Sequence, residues 1–322
     1  MKKILVLYGK SKGKNIRPFA NKDARSSIEH FFERGAEYGY EMYRASYDWY
    51  DYEKYEFQEA WAFQPTEKDW NKVKHIKPDI IFDKTKASAE AYYKKELISL
   101  HYPFINDLTF TWLVDNKFVT SLLFSRWSKK SWLVKGQEQL ELILRHIKTE
   151  RIVVKPVQDS GGKGVHITSR AECLNLAIKG EHIVQEFIDS SAGIPGIGGS
   201  THDLRLIFVD KDLVYAYTRE PQLGSLIANV ARGGTTTMIP REKIPYSVNP
   251  IIEHAHRVFE AFSPRIFTID LMFDREGRPW IVELNSMPGL YFDAAEKPYM
   301  EALYARIFKL FDLQIAHFER SA

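Results

Sequence analysis

A single cysteine, Cys173, stands in 322 residues, which excludes an internal disulfide framework and suits a reducing compartment. Cys173 reads as a small buried residue on a helix rather than as a nucleophile. No stretch approaches the roughly 18 apolar residues of a membrane-spanning helix. At the N-terminus (MKKILVLYGK) basic residues precede an apolar run of only about six residues. That run is too short for a secretory signal and reads as a first buried strand. Neither charge sign prevails: 45 Lys and Arg face 42 Asp and Glu, a net charge of +3. Composition therefore gives no reason to expect nucleic acid or membrane as a general partner. Internal repeats and low-complexity tracts are also missing. What remains is a soluble, cytoplasmic chain long enough for two or three domains.

Residues 1–107 alternate strand and helix patterns, with strands at 3–8, 40–45, 79–82 and 104–105 and helices at 24–38 and 87–100. Such alternation predicts a parallel sheet covered on both faces. The glycine- and lysine-rich Gly9–Lys14 lacks the GxxxxGKS/T order of a phosphate loop and reads as a mobile basic loop. Tyr47–Phe57, dense in aromatics and acids, reads as a half-buried connection with its acids in water; a substrate-recognition surface is the alternative. Residues 108–189 form a second α+β segment, opening with a helix over 109–127 that carries Lys117. A third, 190–322, contains two hairpins and a C-terminal helix over 299–318.

The densest chemistry lies in Ile266–Phe273 (IFTIDLMF) and Trp280–Asn285 (WIVELN), two apolar runs joined by a polar turn. They read as a β-hairpin. Folding it about Glu276 and Gly277 sets Asp270 opposite Glu283, and the two-residue period puts Asn285 on the face of Glu283. Two carboxylates and an amide oxygen make a hard-cation site of the kind that holds Mg²⁺ against phosphates.

Upstream, Lys155 ends an apolar strand and precedes Pro156, a place where an ammonium needs a partner or a ligand. The loop Ser160, Gly161, Gly162, Lys163, Gly164 follows, where glycines let backbone N–H groups approach phosphate oxygens. Gln185, Glu186, Phe187, Ile188 and Asp189 form a strand end whose backbone could meet an adenine between apolar side chains, with Glu186 or Asp189 near ribose hydroxyls. Asp203 and Arg205 share one face of the next strand, and Arg219 ends its partner. In the polar loop beyond, Arg232 could pair with a carboxylate or a transferring phosphoryl group, and Asn229 could complete a phosphate or metal shell.

Taken in order, Lys117, Lys155 with Pro156, SGGKGV, VQEFID, DLR, NVARGG, Asp270 and ELN resemble the ATP-grasp superfamily. Through DLR, NVARGG and ELNSMPG the chain is most similar to the group of ribosomal-protein glutamate ligase, lysine-biosynthesis ligase and glutathione synthetase. No single motif is specific; eight in order are. The resemblance spans roughly residues 105–292. It implies an α/β and α+β architecture in which a parallel-sheet domain precedes two subdomains that clamp ATP. Lys117 and Lys155 would hold phosphates, Ser160–Gly164 would close over them and Gln185–Ile188 would line the adenine. Asp270, Glu283 and Asn285 would hold one or two Mg²⁺, or Mn²⁺ in its place. Arg232, with Arg205 and Arg219, would steady a substrate carboxylate and the tetrahedral oxyanion. The implied reaction joins a small-molecule or peptide carboxylate to an amine through an acylphosphate. A small-molecule kinase and a non-catalytic ATP-binding protein are the other readings, and a homo-oligomer is left open. One departure stands out: Ser190–Ser200 is longer than the family's usual link, either a lid or an insertion without order.

Overall fold

The computed structural model describes residues 1–9, 22–85, 89–157, 164–197, 203–221, 235–290 and 296–321. The chain divides into two compact units, the first made of Met1–Thr111, Phe262–Ile266 and Met287–Ala322, the second of Trp112–Ala261 and Phe267–Ser286.

In the first unit β1 (Lys2–Tyr8) leads to α1 (Lys22–Glu37) and β2 (Tyr40–Ser46). Then come β3 (Tyr50–Asp51), β4 (Glu56–Gln64), β5 (Asp69–Ile76), β6 (Ile80–Asp83), α2 (Ala89–Ser99) and β7 (Phe104–Ile105). The sheet runs β3-β4-β2-β1-β6-β7, with β5 paired to β4. As expected, β2, β1, β6 and β7 are parallel, and β1 is buried on both faces, as parallel strands under helices must be. The α8 helix (Lys297–Ser321) belongs to this unit: Phe308 stacks on Phe31 of α1 at 5.2 Å, and Tyr304 meets the same ring at 4.8 Å. On the other face Leu5, Leu7 and Ile81 pack with Ala91 and Ile98 of α2.

The expected parallel sheet is extended by β3–β5, which run antiparallel and were not expected. Tyr47, Tyr50 and Phe57 of the aromatic-acidic run enter the core, while Asp51 caps its own turn by accepting from the N–H groups of Glu53 and Lys54. The strand signal in β4 is hidden because its burial does not alternate: Ala60, Trp61, Ala62 and Phe63 are all buried.

The second unit begins within α3 (Leu108–Asp115), and α4 (Lys117–Leu123) follows it where one helix was expected. The break falls at Asn116, whose side chain accepts from the N–H groups of Phe118 and Val119 and so starts a new helix. Four antiparallel strands follow: β8 (Ser131–Val134), β9 (Arg151–Pro156), β10 (His166–Ser169) and β11 (His182–Glu186), ordered β10-β9-β11-β8. Helices α5 (Gln137–Leu144) and α6 (Arg170–Cys173) cover them. Cys173 is buried in this core with Leu140, Val154 and Val184, as its sequence context indicated.

The other sheet of this unit contains β12 (Asp203–Val209), β13 (Asp212–Glu220), β14 (Thr235–Ile239), β15 (Ile266–Phe273) and β16 (Pro279–Asn285), ordered β14-β13-β12-β15-β16. Helix α7 (Asn249–Val258) backs it, with His256 against Phe208 and Phe208 stacked on Phe267. Strand β14 has no apolar alternation (TTTMI) and was not anticipated. Residues 190–197 pack against the β15–β16 turn: Arg275 meets Asp189 and Ser191, and a Cβ on Gly277 would lie 3.1 Å from Pro195. Among the described residues no helix is long and apolar enough to cross a membrane.

Candidate active site

Within the second unit the two sheets meet through backbone and side chain. The Ile281 N–H donates to Trp127 O at 2.7 Å, and the Lys155 ammonium donates to Val282 O at 3.0 Å. Register explains why a lysine can reach that carbonyl. Asp270 pairs with Glu283, as the hairpin pattern predicted, but Leu271 then pairs with Ile281, so Val282 bulges from the ladder. A bulged residue leaves the strand-to-strand bonding and can serve another partner.

Lys155 is buried and paired in register with Ile183. Burial first, and the nearby Lys117 second, push its ammonium down to about 8 against the pull of Glu283. An arriving phosphate would favour the charged form. If Lys155 holds a nucleotide phosphate, as the resemblance implies, affinity is expected to fall as pH rises above about 8. Titrations on both sides of that pH check this; an unchanged affinity would remove Lys155 from the phosphate site.

The Asn116 break puts Lys117 at the start of α4, with its ammonium 3.7 Å from Glu283. Asp115 then accepts from both the backbone N–H and the hydroxyl of Ser286, at 2.9 and 3.0 Å. Asp115 and Ser286 thus tie the α3–α4 junction to the end of β16, beside Asn285. Neither was singled out from sequence, although DNK after an apolar run carries a helix-start signal.

Asp270 is fully buried and differs from a simple exposed ligand. Arg205 donates to both its oxygens, at 2.6 and 2.5 Å, and Arg219 donates to Oδ2 at 2.7 Å. Burial alone would raise this carboxyl, but the two guanidinium groups outweigh it and hold it below the usual carboxylate range. Arg219 also binds both oxygens of Asp203, and Arg205 lies 3.8 Å from Glu283. Both arginines thus face carboxylates of the sheet itself, a role the sequence did not reveal because β12 and β15 are far apart in the chain.

The donor set suits a hard cation. The Glu283 side chain is 21% exposed. Asn285 spends its amide N–H groups on Glu283 and Thr268, at 3.3 and 3.4 Å, so its oxygen is the atom it could offer a cation. Among the described residues Asp270 Oδ1 accepts one of the arginine contacts and Oδ2 two, which leaves Oδ1 the less engaged oxygen. Among the described residues no group of three His, Cys, Asp or Glu side chains gathers to hold a metal. Two carboxylates and an amide are what Mg²⁺ takes from a protein when phosphates and water complete its shell.

The other predicted positions lie differently. Gln185 is buried and donates to Ser131 Oγ at 2.8 Å; the Glu186 N–H donates to Lys130 O, and the Phe187 N–H donates to Thr149 Oγ1. Ile188 is buried. Asp189 accepts from Ser191 and pairs with Arg275 at 2.8 Å. Gly164 has φ +66°, and a Cβ there would lie 2.9 Å from Pro156, so only glycine suits this bend beside Lys155. Ser160, Gly161, Gly162, Lys163, Asn229 and Arg232 lie outside the described residues, as does most of the Gly9–Lys14 loop.

The architecture is that of the ATP-grasp fold. D-alanyl-alanine synthetase A of Vibrio cholerae matches with a TM-score of 0.67 at 12% identity, covering 98% of this chain and 99% of that one. A Bacillus anthracis D-alanine–D-alanine ligase solved with ATP matches with a TM-score of 0.59 at 12% identity, covering 98% of each chain. Residues 116–298, more than half of the chain, match the RimK-like ATP-grasp domain, and the chain belongs to that family. A probable alpha-L-glutamate ligase of Coxiella burnetii is 25% identical over 162 residues, 48% of either sequence. The chain thus spans about half the length of the curated relatives it matches.

Proposed function

We propose that this protein is an ATP-dependent ligase that joins a carboxylate to an amine and releases ADP and phosphate. The observation that carries this reading is the meeting of Lys117 and Lys155 with Glu283 and Asn285 at the junction of two sheets. Cations for a polyphosphate and oxygens for its counter-ion then serve one substrate. In this reading the halves of the clamp are 108–189 and the segment from 190, and 1–107 precedes them.

Phosphoryl transfer asks the protein mainly for positioning and charge neutralisation. Lys117 and Lys155 bind the phosphates, with Ser160, Gly161, Gly162, Lys163 and Gly164 closing over them. Gln185, Glu186, Phe187 and Ile188 border the adenine, with Asp189 at its ribose edge. Glu283 and Asn285, backed by Asp270, would hold Mg²⁺, or Mn²⁺ in its place. A bound divalent cation would offset charge on the β- and γ-phosphate oxygens. A substrate carboxylate oxygen attacks the γ-phosphorus as ADP leaves. The amine nitrogen then attacks the acyl carbon, phosphate leaves, and the nitrogen sheds a proton. Arg232 and Asn229, with Arg205 at the sheet face, steady the carboxylate and the oxyanion, while Arg219 acts from behind.

The named relatives are ligases or synthetases of amino acids, which supports an amino acid or peptide as the carboxylate. A buried single cysteine agrees with a cytoplasmic setting. Incubation with Mg²⁺-ATP, pooled amino acids and small peptides, and hydroxylamine as surrogate amine tests the reaction. ADP together with a new hydroxamate is the expected result, and its mass names the acid. ADP with a phosphorylated alcohol would instead make the protein a kinase, and AMP with pyrophosphate would overturn the acylphosphate route.

A further inference from the structure

The buried charges on β12, β13 and β15 form an unbroken row in which carboxylates and guanidinium groups alternate. Asp203 binds Arg219 through both its oxygens. Arg219 reaches on to Asp270 at 2.7 Å, Asp270 is gripped by Arg205, and Arg205 approaches Glu283 at 3.8 Å. Strand register builds the row: Asp203 lies opposite Arg219, and Arg205 is two residues on, on the same face. Glu283, at the end of the row, is its most exposed carboxylate and also lies 3.7 Å from the Lys117 ammonium.

We propose that Asp203 is a positioning residue: by holding Arg219 it limits that arginine to one oxygen of Asp270 and sets the affinity of Glu283, Asn285 and Asp270 for a divalent cation. Arg219 divides its fork between two carboxylates, giving Asp203 its Nε and Asp270 only a shared terminal nitrogen. Without the charge on Asp203, Arg219 is free to take Asp270 in the two-bond geometry that guanidinium favours. Arg219 would then compete for Oδ1 of Asp270, which among the described residues accepts only from Arg205, and the row would lose one negative charge. Outer partners of this kind typically alter metal affinity by about 10–100-fold.

This inference rests on the proposed metal site, so its test carries a control for that reading. Free Mn²⁺ is followed by electron paramagnetic resonance in titrations of the full chain with a non-hydrolysable ATP analogue. Asp203→Asn is expected to weaken Mn²⁺ binding by about 10–100-fold. Its affinity for the metal-free analogue and its melting temperature should stay close to the parent values. A role confined to folding would instead lower the melting temperature or weaken both affinities together. Should Asp203→Asn fail to fold, Asp203→Ser serves, because a hydroxyl likewise lacks the carboxylate charge and the two-oxygen grip that hold Arg219. It is expected to weaken Mn²⁺ in the same manner. Parent-like Mn²⁺ affinity in whichever variant folds overturns the proposal. Glu283→Gln is the control: if it too binds Mn²⁺ as the parent does, the metal site itself is wrong. If only Glu283→Gln loses the ion, the site stands and the role of Asp203 falls.

Discussion

Replacing Glu283 with glutamine is expected to reduce turnover by roughly 10²–10³-fold, the usual effect of losing one charge-stabilising group aimed at the transition state, while the protein remains folded. The substitution keeps side-chain volume on β16 and removes one negative charge. That charge lies 3.7 Å from Lys117 and 3.8 Å from Arg205. Glu283 is the partly exposed carboxylate of the cluster, so the fold has little burial to lose there. Circular dichroism and a melting curve should match the parent while ADP release, measured with saturating substrates, collapses. Normal turnover would show that Glu283 touches neither the metal nor the phosphates.

Lys155→Ala carries the second large effect, of a different kind. A buried ammonium whose hydrogen bond among the described residues is to Val282 O is held in a place that desolvates its charge, and such placement suits an anionic ligand. Its removal is expected to raise the KM for ATP by about two orders of magnitude, the scale of a lost charge-assisted contact of about 3 kcal/mol. The folded state should lose little stability, because deleting a desolvated charge offsets part of the cost of the cavity left by the shorter side chain. Steady-state kinetics against ATP, beside a denaturant titration, separates the two effects. An unchanged KM would sink the phosphate assignment. Lower stability with an unchanged KM would make the lysine a tie between the sheets.

Much of this site was legible because it is local. Asp270 and Glu283 face each other across a hairpin whose turn residues set its register, and the two-residue period carried Asn285 to the same face. Lys155 stood out because a charge ending an apolar strand needs an explanation. The helix predicted over 109–127 illustrates the limit: the apolar pattern runs across Asn116, yet its side chain satisfies two backbone N–H groups and divides the helix there. Patterns of apolar residues do not register a cap that interrupts them. Strands β4 and β14 escaped for the opposite reasons, one buried on both faces and the other largely exposed, so neither alternates cleanly.

Sequence by itself determined the strand and helix identities of most elements, the hairpin register at Asp270, and the order of motifs that places the chain among ATP-grasp proteins. Tertiary structure alone decided that β12 lies beside β15, bringing Arg205 and Arg219 to Asp270 from more than fifty positions away. It also decided that α8, last in the chain, packs on the first unit. Hairpin pairing follows from local turn chemistry and side-chain alternation. The neighbours of a strand across a sheet follow from how the whole chain buries its apolar faces, which no local pattern records.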